Sequence, residues 1–121
     1  MMLEHSAQIG NYLTDGRGMN LYVYDLDPEE FSQCTGSCLN ERPVFYSDYA
    51  VVSSDLNAAD FGYFTRKDGR KQSTYKGIPL YYYSKDARVG EIHGRDIANR
   101  WNTIDPAHFN GTSVSNGIFN K

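Results

Sequence analysis

Hydrophobic and polar positions alternate over much of the chain, and no stretch holds a long 3.6-residue period, so strands are expected to dominate. Residues 9–14 read as a first strand. Asp15-Gly16-Arg17-Gly18 then suits a tight turn, because glycine reaches positive φ without steric cost. Residues 20–25 form the next strand, with Leu21 and Val23 on one face and Tyr22 and Tyr24 on the other. Asp27-Pro28 breaks it, since proline cannot donate to an interior ladder. One helical turn is expected over 28–31, with Asp27 as its N-cap. A loop spans Cys34 to Cys38, a short helical turn covers 39–42, and residues 43–49 and 50–53 are strand-like. A loop covers 57–60. Two strand-like runs, 61–66 and 71–75, flank Lys67-Asp68-Gly69-Arg70, and an Asp-Gly in that setting is a strong hairpin signal. Residues 94–100 read as a short helix, 101–104 as a strand and 110–121 as a polar, extended tail.

One strand pattern occurs twice. Residues 21–27 read LYVYDLD and residues 80–86 read LYYYSKD, both obeying L-Y-x-Y-x-x-D at an offset of 59 residues. Without a gap, Gly18 falls on Gly77, Arg17 on Lys76, Met19 on Ile78 and Asn40 on Asn99. A fixed period with a shared pattern indicates internal duplication. The expected fold is therefore a single, mainly β domain of two pseudo-twofold-related units, near 9–53 and 68–109, followed by the tail. The 61–66 strand should tie the units together through the central hairpin. Whether the units pack face to face or share a sheet is left open by the pattern.

The 121 residues fit one domain with a real core. A net charge of −3 argues against nucleic acid as a partner, since that binding needs a basic face. No apolar run approaches the roughly 20 residues of a membrane helix. The opening Met1-Met2-Leu3-Glu4-His5 lacks the basic start and apolar core of a signal peptide and is open to reading as an appended scar. Ten tyrosines are the compositional oddity; the ring packs in amphipathic strands while the hydroxyl seeks a partner.

The paired Tyr22-x-Tyr24-x-x-Asp27 and Tyr81-x-Tyr83-x-x-Asp86 resemble the Y-x-[FWY]-x-x-D signature of a family of predicted bacterial lipoproteins, also described as a secreted repeat of unknown function. Residues 12–19, the C-T-G-x-C loop at 34–38, Ala59-Asp60-Phe61-Gly62, 65–69 and 75–82 continue the similarity, which covers about residues 9–105. A tryptophan is usual in the family where Arg42 stands; Trp101 keeps it in the second unit. The resemblance implies an exported, often lipid-anchored envelope protein in the periplasm, outer membrane or cell surface, with any lipid anchor lying outside this chain. It implies no established activity. In an exported protein the two cysteines, Cys34 and Cys38, imply a disulfide that pins the turn between them.

Several groups are candidates for chemistry. Asp27 and Asp86 sit where each strand should stop, and most simply accept backbone N–H bonds in a turn. Asp25, Asp27 and Glu29 alternate like the opening of a calcium loop, but the glycine and closing glutamate of that loop are missing. His93 and His108, with Met19, would form a copper site only if the fold assembled them. Arg66, Lys67, Arg70 and Lys71 crowd the hairpin tip and offer an anion patch. No cofactor is expected; calcium or copper is the fallback. Nucleophile-elbow, Walker and zinc-protease motifs are absent from the sequence. The expectation is a non-catalytic envelope module that binds a partner protein or extracellular ligand through exposed Tyr22, Tyr24, Tyr81 and Tyr83. The alternative is a periplasmic redox or metal-binding accessory protein serving copper, calcium or a haem partner.

Overall fold

A computed structural model describes residues 1–7, 9–47, 52, 54, 56–95, 100–107 and 109. The chain is mainly β: β1 (Met2–Ser6), β2 (Gly10–Thr14), β3 (Val23–Tyr24), the helical turn α1 (Cys38–Glu41), β4 (Phe61–Thr65), β5 (Lys71–Tyr75), β6 (Ile78–Pro79) and β7 (Trp101–Asn102). Three small antiparallel sheets result, β1-β2, β3-β7 and β4-β5-β6. No helix among the described residues is long and apolar enough to cross a membrane.

Most of the expected strands are present, some shorter than the pattern suggested. The hairpin forms as expected, closed by Arg66 N–H to the Arg70 carbonyl (2.8 Å) and turned at Gly69, φ 89°. In the 15–18 turn the Asp15 carboxylate accepts the N–H groups of Arg17 (2.8 Å) and Met19 (3.0 Å). Gly18 there has φ +95°, and a Cβ would stand 2.8 Å from Val89, so only glycine fits. The opening residues, for which the sequence pattern predicts no element, form a strand: β1 pairs along β2 from Met2↔Thr14 to Ser6↔Gly10, and Met1 is buried. One expectation is corrected: residues 28–31 form no helical turn. Glu30 takes φ 55° while its N–H reaches the Gly77 carbonyl at 2.8 Å, and that tertiary bond overrides local preference. The strand read at 50–53 and the helix at 94–100 lie largely outside the described residues; the tail at 110–121 and His108 lie wholly outside them.

The alternation of residues 21–24 is as the sequence predicts, but its consequence is not. Leu21 and Val23 join Leu13, Phe45, Ile78, Leu80 and Ile104 in an aliphatic cluster. Tyr22 faces the other way, into a second cluster with Tyr81, Tyr83, Trp101 and Cys34, and Tyr24 packs against it. Both faces of the motif strand are therefore buried, and a buried tyrosine hydroxyl must find a hydrogen-bond partner.

Candidate functional site

The two copies of the motif meet back to back. Tyr22 N–H donates to the Tyr81 carbonyl (2.8 Å) and Tyr81 N–H to the Tyr22 carbonyl (2.9 Å). Each strand then turns back at its aspartate, with Asp27 N–H on the Tyr24 carbonyl (3.1 Å) and Asp86 N–H on the Tyr83 carbonyl (3.0 Å). That turn aims each carboxylate at the opposite copy. Tyr22 Oη donates to Asp86 Oδ2 at 2.6 Å, and Tyr81 Oη to Asp27 Oδ2 at 2.5 Å. The second oxygen of each carboxylate accepts a backbone N–H, from Gln33 at 2.7 Å and from His93 at 2.8 Å. The turn-capping role expected of both aspartates is thus what the geometry contains, with the tyrosine bonds added.

The expectation of an exposed tyrosine surface is corrected. Tyr22 and Tyr81 have no exposure and Tyr83 only 8%, while Tyr24 is half-buried and stacks on Trp101 at 4.6 Å. The reason is the reciprocal pairing of the two motif strands: each supplies a hydroxyl donor for the other's carboxylate, so both hydroxyls are buried without losing a hydrogen bond. Burial, reinforced by the facing carboxylate, pushes the pKa of both Tyr22 and Tyr81 far above the ordinary phenol value. Burial also lifts Asp27 to about 6, against the opposing pull of the Tyr81 hydroxyl, the Gln33 N–H and the Arg66 charge.

The surroundings of the two pairs differ. Beside Asp27, Ser32 Oγ lies 2.5 Å from Tyr81 Oη and accepts from Arg66 Nη1 at 2.8 Å. Arg66, only 5% exposed, also donates to Gln72 Oε1 (2.9 Å), the Cys34 carbonyl (3.1 Å) and Asp68 (3.0 Å). The Cys34–Cys38 disulfide forms as expected and holds the loop that presents the Cys34 carbonyl to this guanidinium. Beside Asp86, the Tyr22 hydroxyl accepts the Gly94 N–H at 3.1 Å. Arg42, 2% exposed, lies 4.2 Å from the ring centres of both Tyr83 and Trp101, and its Nη2 donates to the Gly94 carbonyl (2.7 Å). Arg42 thus lies in a stack with Tyr83 and Trp101.

The hairpin cations do not gather into one patch. Arg66 is buried as described, and Arg70 bonds Asp68 (3.1 Å), holding that carboxyl at about 2 through its backbone N–H and guanidinium together with Arg66. Lys67 and Lys71 sit over rings instead, Lys67 Nζ 5.2 Å from Phe31 and Lys71 Nζ 5.2 Å from Tyr63. Asp68, bonded to both Arg66 and Arg70, takes up two of the four cations from which the sequence suggested an anion patch. Between this tip and the 30–36 loop opens a cleft of about 570 Å³, walled by Phe31 and Phe64 and floored by Ser32 and Arg66, with Lys67 and Glu30 also lining it.

The proposed cation ligands are not assembled. Asp27 is engaged with Tyr81 and Gln33, and Asp25 Oδ2 faces Arg100 at 3.6 Å. Among the described residues the ligand atoms that do lie within 4.8 Å of one another belong to Asp86, Glu91 and His93. Their carboxylates are already bonded, Asp86 to Tyr22 and the His93 N–H, and Glu91 to the N–H groups of Ala87 (2.6 Å) and Arg88 (3.1 Å). Sequence reasoning missed Ser32, Gln72 and the cross-copy destination of the tyrosines. A signal for the last was present. Tyr and Asp five residues apart in a strand point to opposite faces, so neither can serve the other within one copy.

Residues 62–104 match the model of a family described as a secreted repeat of unknown function. The match spans the second copy of the motif, and it bears out the resemblance there. The description supports an exported location. No curated protein and no solved structure matches the chain.

Proposed function

We propose that this protein is a non-catalytic, exported binding module of the cell envelope, and that its ligand seats in the cleft between the 30–36 loop and the hairpin tip. The observation behind this reading is the cleft itself. Its volume of about 570 Å³ falls in the range of small-ligand sites. Phe31, 39% exposed, and Phe64 offer ring faces, and the ammonium of Lys67 hangs over the first of them. The floor is rigid, because Arg66 is tied to four partners, and a preorganised floor lowers the entropy cost of binding. The ligand this arrangement suits offers an aromatic or apolar ring to Phe31 and Phe64 and an acceptor to Lys67.

The same site supports the non-catalytic reading. Ser32, the hydroxyl at the floor, faces Arg66 and Tyr81. A guanidinium takes no proton, and Tyr81, its pKa raised by burial and by Asp27, is no base at neutral pH. Chemical-shift mapping with a panel of aromatic carboxylates and short ring-bearing peptides tests the proposal. Shifts should cluster on Phe31, Phe64 and Lys67, and Phe31→Ser should abolish them while leaving the fold intact. Shifts centred elsewhere, or unchanged in Phe31→Ser, would sink it.

A further inference from the structure

Several bonds made by residues outside the family match, which begins at residue 62, repeat bonds made by the matched ones. Asp25 N–H donates to the Arg100 carbonyl at 2.8 Å, and 59 residues on, Ser84 N–H donates to the Glu41 carbonyl at 2.8 Å. Arg100 and Glu41 are themselves 59 residues apart, so the second bond is the first with the copies exchanged. Leu13 N–H to the Ile104 carbonyl (3.0 Å) has the same relation to Ser73 N–H on the Phe45 carbonyl (2.8 Å), at offsets of 60 and 59. The tyrosine–aspartate bonds exchange copies in the same way.

A second kind of contact joins equivalent positions directly. Tyr22 pairs with Tyr81, its own counterpart, through both backbone bonds. Arg42 stacks on Trp101, its own counterpart, at 4.2 Å. In an interface with two-fold symmetry, residue i meets j while j meets i, and only positions near the axis meet themselves. Both signatures occur here, and neither follows from two units merely lying side by side.

We infer that the face each copy of the motif presents is an interface fitted to the other copy, and that the Y-x-Y-x-x-D pattern is the reciprocal latch of that interface. One copy by itself leaves its tyrosine without its carboxylate acceptor, its aspartate with only the backbone N–H of its own copy, and its motif strand without the partner that the other copy's tail provides. The unit that folds is therefore the pair. The two motifs differ at three positions, Val23/Tyr82, Asp25/Ser84 and Leu26/Lys85, none of which is a tyrosine or aspartate of the latch.

Double-mutant cycles on the full chain, read by urea unfolding, test this. Tyr22→Phe with Asp86→Ala, and Tyr81→Phe with Asp27→Ala, should each show a coupling of about tenfold or more in the unfolding equilibrium constant, the scale of a buried bond to a carboxylate. The within-copy cycles, Tyr22 with Asp27 and Tyr81 with Asp86, should couple by less than about threefold. Equal coupling within and across copies, or none across, overturns the inference. Should the alanine variants fail to fold, the hydroxyl protons of the unaltered chain decide. Slowly exchanging Tyr22 and Tyr81 hydroxyls with dipolar contacts to Asp86 and Asp27 uphold it, and rapid exchange with water refutes it.

Discussion

At one latch, Tyr81 and Asp27 lie beside Ser32 and Arg66 at the back of an open cleft; at the other, Tyr22 and Asp86 lie beneath Arg42 and the Gly94 N–H. The bond between hydroxyl and carboxylate is the same in both, and so is the backbone N–H on the second oxygen. What differs is the cation. Arg66 reaches its latch through hydrogen bonds to Ser32, Gln72 and the disulfide loop. Arg42 reaches the other through ring faces. The part the two motifs share is closed and internal, whereas the surroundings in which they differ open a cleft on one side. The shared residues hold the two motif strands together, and a site for a ligand is more readily sought where their surroundings differ.

The largest effect expected from breaking this contrast is at Arg66. Arg66→Ala removes four bonds and leaves Ser32, Gln72 and the Cys34 carbonyl short of a donor, and it should cost about 3 kcal/mol in urea unfolding. Arg42→Ala removes ring stacking and one bond to a carbonyl, and about 2 kcal/mol is expected. If Arg42 proved the costlier, the hydrogen-bonded latch would not be the stronger of the two.

A smaller effect separates the latches by pH. Asp27 has its folded pKa raised to about 6, above its value in the unfolded chain. Its contribution to stability is therefore fully present below about pH 4 and is lost as pH rises through 6. Asp15, held low by the Tyr82 hydroxyl and the N–H groups of Met19 and Arg17 despite its burial, acts with the opposite sign, losing stability as pH falls. The difference between the native chain and Asp27→Asn isolates the first term, and the pH 4–6 decline should vanish from the variant. Tyr81→Phe, which removes a bond that favours the carboxylate, should move the decline to higher pH. A decline unaltered by Asp27→Asn would assign it to another group. The smallest effect belongs to Phe31→Ser at the cleft mouth, which should change stability by less than about 0.5 kcal/mol.

Much of this architecture was legible in the sequence. The hairpin at 61–75 followed from the Asp-Gly between two strand patterns, and the opposite faces of Leu21 and Tyr22 followed from the period of two. The disulfide followed from the family resemblance and two cysteines. The burial of the tyrosine face did not follow, because alternation distinguishes two faces without saying that both meet protein. Tyrosine, half apolar and half polar, fits a wet surface or a satisfied core equally well. The cation patch failed for a related reason: proximity in sequence put Arg66 beside Lys67, but the Arg66 side chain points to the interior while that of Lys67 stays over Phe31. β1 was missed because Met2–Ser6 has neither alternation nor β-branched residues, and its strand form rests on pairing with β2.

The central claim is that the repeated tyrosines form an internal latch and not a binding surface. Nitration of the native chain with tetranitromethane at mild alkaline pH, followed by peptide mapping, tests it directly, since the reagent needs an accessible phenol able to ionise. Tyr63, 55% exposed, should be modified readily, with Tyr22 and Tyr81 protected until the chain unfolds. Modification of Tyr22 and Tyr81 at the rate of Tyr63 in the folded protein would contradict the account.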